Sequence, residues 1–225
     1  MKLLNKILSI FISKKGRLEE CFEPTISQKR AREIMGRNFF GIKEVIKYFG
    51  INPTRKQLAS FSEIPFSEVM LKELKDTHVL IAVFPLSIFE ICRKVEHKLF
   101  YGYEDGWYIK ESFIKKRGKA SWQLICKTPV ESSTSKIWQE QKMLLENNNE
   151  EVPTIRVMVY TIISYYFVTG ERLLENIYVR TSSCCYGVRI GVGYFGSSGI
   201  SIVLCGDGID RLIVGRVGVL FAKKF

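Results

Sequence analysis

The chain has 225 residues, 46% of them hydrophobic and 25% charged, and a formal net charge of +11. That length can bury one good core, and the apolar fraction marks a folded soluble protein, excluding a chain too polar to fold. The charge is uneven: the first sixty residues hold thirteen Lys and Arg against five Asp and Glu, so the basic character belongs to the N-terminal part.

In chain order, Leu3, Leu4, Ile7, Ile10 and Phe11 fall at helical spacing, while Asn5 and Lys6 interrupt the apolar run and no small-residue cleavage site follows. An amphipathic helix is expected there and not a signal peptide, with a cytoplasmic location; packing on the domain is favoured over lying on a membrane surface. Thr25 or Ser27 caps a helix over SQKRAREIM that Gly36 stops. IKEVIKYFG runs from Gly41 to Gly50, and after Pro53 the residue Thr54 caps a further helix, RKQLASFSEI. This pair has the outline of a DNA-binding helix-turn-helix, with Lys43, Lys47, Arg55 and Lys56 as phosphate contacts. Two ordinary helices with a solvated charged face fit the same residues.

Ser67 starts SEVMLKELK, HVLIAVF reads as a buried strand ended by Pro85, and Ser87 caps SIFEICRKVEHKL. From about residue 98 the pattern changes to aromatic strands centred on Trp107 and Trp122, joined by a basic hairpin tip from Lys115 to Lys119. The expected division is a basic helical region 1–97 and a second domain 98–225, although no low-complexity linker separates them and one interdependent fold suits the sequence equally. KIWQEQKMLLE is helical, with Ile137, Trp138, Met143 and Leu144 turned partly inward. Pro153 opens a long apolar helix over 154–169, too short to span a bilayer, which places Val157, Ile162 or Ile163, and Phe167 in the core.

The tail differs from everything upstream. Between Arg180 and Ala222 there is no Lys, Glu, Gln, Met, Trp, Asn or Pro. Apolar residues alternate at Val188, Ile190 and Val192 and again at Ile200, Ile202 and Leu204, the period of two half-buried strands. The complementary positions should face outward: Arg189, Gly191 and Gly193, then Ser201, Val203 and Cys205. Loops at Ser182–Tyr186 and Gly196–Ser198 are expected at the strand ends.

IYVRTSS, VRIGVGYF, SGISI and the closing VLFAKKF resemble the variable C-terminal region of diversity-generating retroelement target proteins. The run EVPTIRVMVYTIISYYFVTGERLLENIYVR is similar to the helix and strand leading into that region, so the resemblance spans residues 119–225. In that family an error-prone reverse transcriptase rewrites the end of one gene, and a C-type-lectin-like, formylglycine-generating-enzyme-like fold displays the altered residues as a binding surface. The resemblance thus implies an α+β protein: a helical N-terminal part, then a C-type-lectin-like mixed α/β domain with antiparallel C-terminal strands and a variable segment 180–222. The implied ligand-binding residues are Ser182, Ser183, Cys184, Cys185, Tyr186, Gly191, Tyr194, Gly196, Ser198, Ser201, Val203, Cys205 and Asp207, with Tyr186 and Tyr194 as aromatic anchors.

Sites for chemistry are poorly supported. Gly191, Gly193 and Gly196 spell G-x-G-x-x-G, but the run continues as strand where a phosphate loop must open a helix. G-x-S-x-G is absent. Asp207 and Asp210, flanked by glycines, suit Asx turns better than a calcium site. The six cysteines lack CxxC spacing, and His78 and His97 are the only imidazoles, so no metal, disulfide framework or other cofactor is expected. Cys92 and Cys126 lie in apolar runs, whereas Cys184, Cys185 and Cys205 read as surface residues. Two readings follow: a non-enzymatic recognition protein for a protein or surface ligand, or a nucleic-acid-binding protein acting through its basic N-terminal part.

Overall fold

The computed structural model describes residues 25–145, 149–206 and 217–224. The expected N-terminal amphipathic helix, Cys21, Asp207 and Asp210 lie outside the described residues. The fold is α+β. Helix α1 (Ile26–Met35) starts at Thr25, whose hydroxyl accepts from the Gln28 amide at 3.3 Å, and ends at Gly36. Strand β1 (Phe39–Phe40) leads into α2 (Ile42–Phe49), which buries Ile42, Val45, Ile46 and Phe49, one stripe of a 3.6-residue period. Helices α3 (Arg55–Ala59), α4 (Glu68–Leu74) and α5 (Ile88–Lys94) are capped by Thr54, Ser67 and Ser87, the residues whose side-chain oxygens the sequence offered.

Strand β2 (His78–Val83) is buried at all six residues because both its faces are covered, so it shows no alternation. It pairs in parallel with β1 and antiparallel with β3 (Ser121–Cys126), from His78↔Cys126 to Val83↔Ser121. Adding β4 (Glu150–Glu151) and β9 (Ala222–Lys223) gives a five-stranded sheet in the order β1-β2-β3-β9-β4. This sheet takes strands from both sides of residue 98, and one apolar core runs from Ala31 to Ala222. The change from helices to strands at that point is therefore no boundary between cores.

The central element is α7 (Ile155–Thr169). Apart from Arg156, every residue from Ile155 to Tyr165 is buried, as expected of a helix that is apolar all round. It lies between the five-stranded sheet and a second sheet in the order β7-β6-β5-β8, formed by β5 (Tyr178–Cys185), β6 (Val188–Gly196), β7 (Gly199–Cys205) and β8 (Val217–Val219). Tyr160 donates its hydroxyl to the Ala82 carbonyl of β2 at 3.1 Å. Phe167 is only half-buried, stacked on Tyr48 of α2 with ring centroids 5.0 Å apart. On the opposite face of the first sheet, Trp122 packs against Phe39 and Phe61, and its indole N–H donates to the Phe61 carbonyl.

Several expected elements differ, among them the helix over RKQLASFSEI, which ends at Ala59. Trp107 lies in a 3-10 turn (Trp107–Lys110), not a strand, because its indole N–H caps the Ile202 carbonyl at 3.0 Å on the edge of β7. The Tyr101 amide does the same for Ile200, so aromatic residues that suit a strand here cover one. Helix α6 (Trp138–Met143) buries Trp138 and Gln141 but leaves Ile137 and Met143 exposed, because only one short face meets the second sheet.

His78 is buried at the start of β2, with the Thr77 hydroxyl 2.8 Å from Nδ1. Its pKa is lowered from 6.5 to about 4, chiefly by burial and also by Lys223 and Lys127, while Glu150, paired with Lys223 at 2.5 Å, opposes them. The unfolded chain thus binds the extra proton first, so the neutral imidazole's contribution is complete above pH 6.5 and is lost as the pH falls towards about 4. Thermal unfolding of His78→Gln measured across this window should show a flatter acid limb than the native protein.

Candidate recognition surface

The second sheet obeys the alternation in the sequence. Ile190↔Leu204 and Val192↔Ile202 pair on the α7 side, where Ile190, Val192 and Ile202 are buried and Leu204 is half-buried. Arg189↔Cys205, Gly191↔Val203 and Gly193↔Ser201 share the other side. That other side is not a uniform surface. Arg180 on β5 is 3% exposed, its Nη1 donating to the Lys136 carbonyl (2.8 Å) and Gln141 Oε1 (2.9 Å). Gln141 Nε2 in turn donates to the carbonyls of Ser133 and Val217, and the Ser133 hydroxyl accepts from the Val219 amide at 3.0 Å. A buried guanidinium needs such satisfied partners, and this network fastens α6 over β5 and β8. Arg189 lies over the Trp138 ring at 4.4 Å.

Several expected contact residues are consequently structural. Gly191 and Cys205, expected to face outward into solvent, are buried. A Cβ at Gly191 would run into Cys205 Sγ and crowd Val203, so the thiol fills the space that the glycine leaves. Ser182 and Ser183 are strand residues and not loop: the Ser182 amide donates to the Pro153 carbonyl, and the Ser183 hydroxyl accepts from the Ile155 amide at 3.1 Å. Both tie β5 to the start of α7. The glycines of the G-x-G-x-x-G run lie in β6, where no helix follows.

Among the described residues, what remains accessible groups at two stations. At the β5–β6 turn, Tyr186 (φ 51°) and Gly187 (φ 75°) make the two-residue left-handed turn that matches hairpin twist. Tyr186 is 78% exposed, and its hydroxyl donates to Glu111 Oε1 at 2.6 Å. Cys184 is exposed beside it, and the half-buried Cys185 thiol donates to Glu111 Oε2. Burial and the Glu111 carboxylate both push the Cys185 pKa up, keeping a protonated, unreactive thiol. The second station lies about 20 Å along β6, at a strand rise of about 3.3 Å. There Tyr194, at φ 46°, sits with its ring 4.5 Å from that of Tyr178, whose hydroxyl is 3.1 Å from Ser201 Oγ. Gly196, Ser201 and Val203 are half-exposed around it, and Ser198 is exposed at the β6–β7 turn. Asp207 lies outside the described residues.

The basic candidates do not share one face. Lys43 and Lys47 line a shallow 280 Å³ depression with Glu44, Tyr48 and Val168, whereas Lys56 lines a different cleft with Lys119. Arg55 is exposed on α3, which has only five residues. Sequence reasoning did not single out Glu111 or Arg156; each is a lone charge whose role depends on distant partners. Among the described residues no helix is long and apolar enough to cross a membrane. No family model, no curated protein and no solved structure matches this chain.

Replacing Gly191 by Ala should cost about 1–3 kcal/mol through overpacking against Cys205, whereas Ser198→Ala should stay within about 0.5 kcal/mol. Paired denaturant unfolding curves provide the measurement.

Proposed function

We propose that the protein is a non-enzymatic recognition protein whose C-terminal hairpin presents two tyrosine stations, Tyr186 with Cys184, and Tyr194 with Tyr178 and Ser201. The observation that carries this reading is the backbone at Tyr186 and Tyr194: both hold φ near +50°, a conformation that bulky L-residues rarely adopt. A chain that keeps tyrosine where Gly or Asn would be less strained is retaining the ring for what it contacts. Tyrosine and serine supply rigid area and adaptable hydrogen bonds at small entropic cost.

The resemblance to diversity-generating retroelement targets supports the same region, and a buried helix leading into antiparallel strands is compatible with the C-type-lectin-like architecture it implies. Diversification on this scaffold would spare Gly191 and Cys205, which hold each other in place, and act at the stations. The expected ligand is a protein or a cell-surface group.

Two measurements test the proposal. Peptides selected from a displayed library on the native chain should lose about tenfold or more in affinity for Tyr186→Asn/Tyr194→Asn, since aromatic anchors dominate such contacts. The unfolding midpoint should hold, because Asn tolerates left-handed φ. Undiminished binding to the double variant overturns the reading. A reverse-transcriptase gene and a near-copy of the 3′ end of the coding sequence in the neighbouring DNA would support diversification, and their absence would remove it.

A further inference from the structure

The Lys115–Lys119 segment is not a hairpin tip: after the 3-10 turn Ser112–Lys115 it runs extended into β3, and a cleft opens on each side of Gly118. One, of about 360 Å³, is lined by Lys116, Arg117, Arg156, Thr154, Ser183 and Cys184 among others. Its neighbour, of about 560 Å³, is lined by Thr54, Lys56, Gln57, Ser60, Pro85 and Lys119 among others. Neither wall carries a carboxylate among the described residues. Glu90 is engaged by Arg117, and Glu111 by Tyr186 and Cys185.

Gly118 lines both clefts, and beside it in the first lies Arg156. Its guanidinium lies against Gly118 so closely that a Cβ there would collide with it. Nη1 donates to the carbonyls of Phe84 (2.9 Å) and Leu86 (3.5 Å), and no carboxylate reaches the group among the described residues. Burial lowers its pKa, yet a guanidinium stays protonated at any physiological pH. A half-buried cation held only by neutral carbonyls, beside Lys116 and open to a cleft, lacks the counter-charge that desolvation calls for. Lys56 and Lys119 are exposed at the neighbouring cleft, so both clefts present positive charge to an approaching anion.

We propose that the two clefts form one groove that binds a chain of linked phosphates, with Arg156 and Lys116 holding one phosphate and Lys56 and Lys119 the next. The Thr54 hydroxyl and the Gln57 side-chain NH2 line the second cleft as donors for phosphate oxygens. The groove adjoins the first tyrosine station through Cys184, but its cationic residues belong to neither station.

The test uses the full chain and two probes, a labelled oligothymidylate of about eight nucleotides followed by anisotropy and inorganic tripolyphosphate followed by calorimetry, in about 50 mM salt. Lys56→Ala/Lys119→Ala should weaken whichever probe binds by about tenfold or more, since each lost phosphate contact lowers affinity and its salt dependence together. Lys43→Ala/Lys47→Ala removes the same charge on α2, which packs near Val168, about 18 Å along α7 from Arg156. That control should change affinity less than about twofold. All four lysines are exposed, so both double variants should unfold at the native midpoint. Binding of the oligonucleotide that tripolyphosphate cannot displace identifies a nucleic-acid chain as the source, and equal or tighter tripolyphosphate binding identifies free polyphosphate. Equal weakening by the two double variants, or binding of neither probe, overturns the proposal.

Discussion

The structure depends on burying α7 from every side. A helix as apolar as IRVMVYTIISYYFVT cannot leave one face in water, and a single sheet covers only half of it. Two sheets are therefore required, one on each side, and the chain has to supply strands from widely separated segments. That explains why β2 from residues 78–83 pairs with β3 from residues 121–126, and why the last strand, β9, returns between β3 and β4. The one charged residue in this buried stretch, Arg156, sits at the end where its guanidinium reaches the Phe84 and Leu86 carbonyls and one adjoining cleft.

The same requirement shapes the tail. Its inner face must pack on α7, so Ile190, Val192 and Ile202 are committed to the core, and Ser182 and Ser183 are committed to bonding the start of the helix. The outer face is then partly closed by α6, held there by the Arg180–Gln141–Ser133 network. Among the described residues of this face, the accessible side chains group where the strands turn or outrun this cover, at Cys184–Tyr186 and around Tyr194. A sheet face that looks available from its period can thus shrink to its two ends.

Charge follows a similar logic. The sequence concentrates Lys and Arg in its first sixty residues, but α2 carries Lys43 and Lys47 to a different depression from the cleft of Lys56, while the loop before β3 brings Lys119 to that cleft. Local density along the chain and local density in space are different quantities. Only the second fixes an electrostatic field.

The sequence by itself determined the local elements. Caps at Thr25, Thr54, Ser67 and Ser87, stops at Gly36, Gly50 and Gly170, and the period-2 pattern of β6 and β7 were all legible, because each depends on backbone groups a few residues away; α7 differs in being capped by Thr154, with Pro153 ahead of the cap and not in the first turn. What the tertiary structure alone decided was exposure and partnership. The pattern assigned Gly191 and Cys205 to the outer face correctly, yet it could not show that the Cys205 thiol fills the space the glycine leaves there. Trp107 looked like a strand residue until the edge of β7 required an N–H for Ile202. Glu111, seventy-five residues from Tyr186, and Arg156, seventy-two from Phe84, have partners that no local pattern encodes. Burial and long-range pairing are set by how whole layers cover α7, and period and capping say nothing about which layer lies on which.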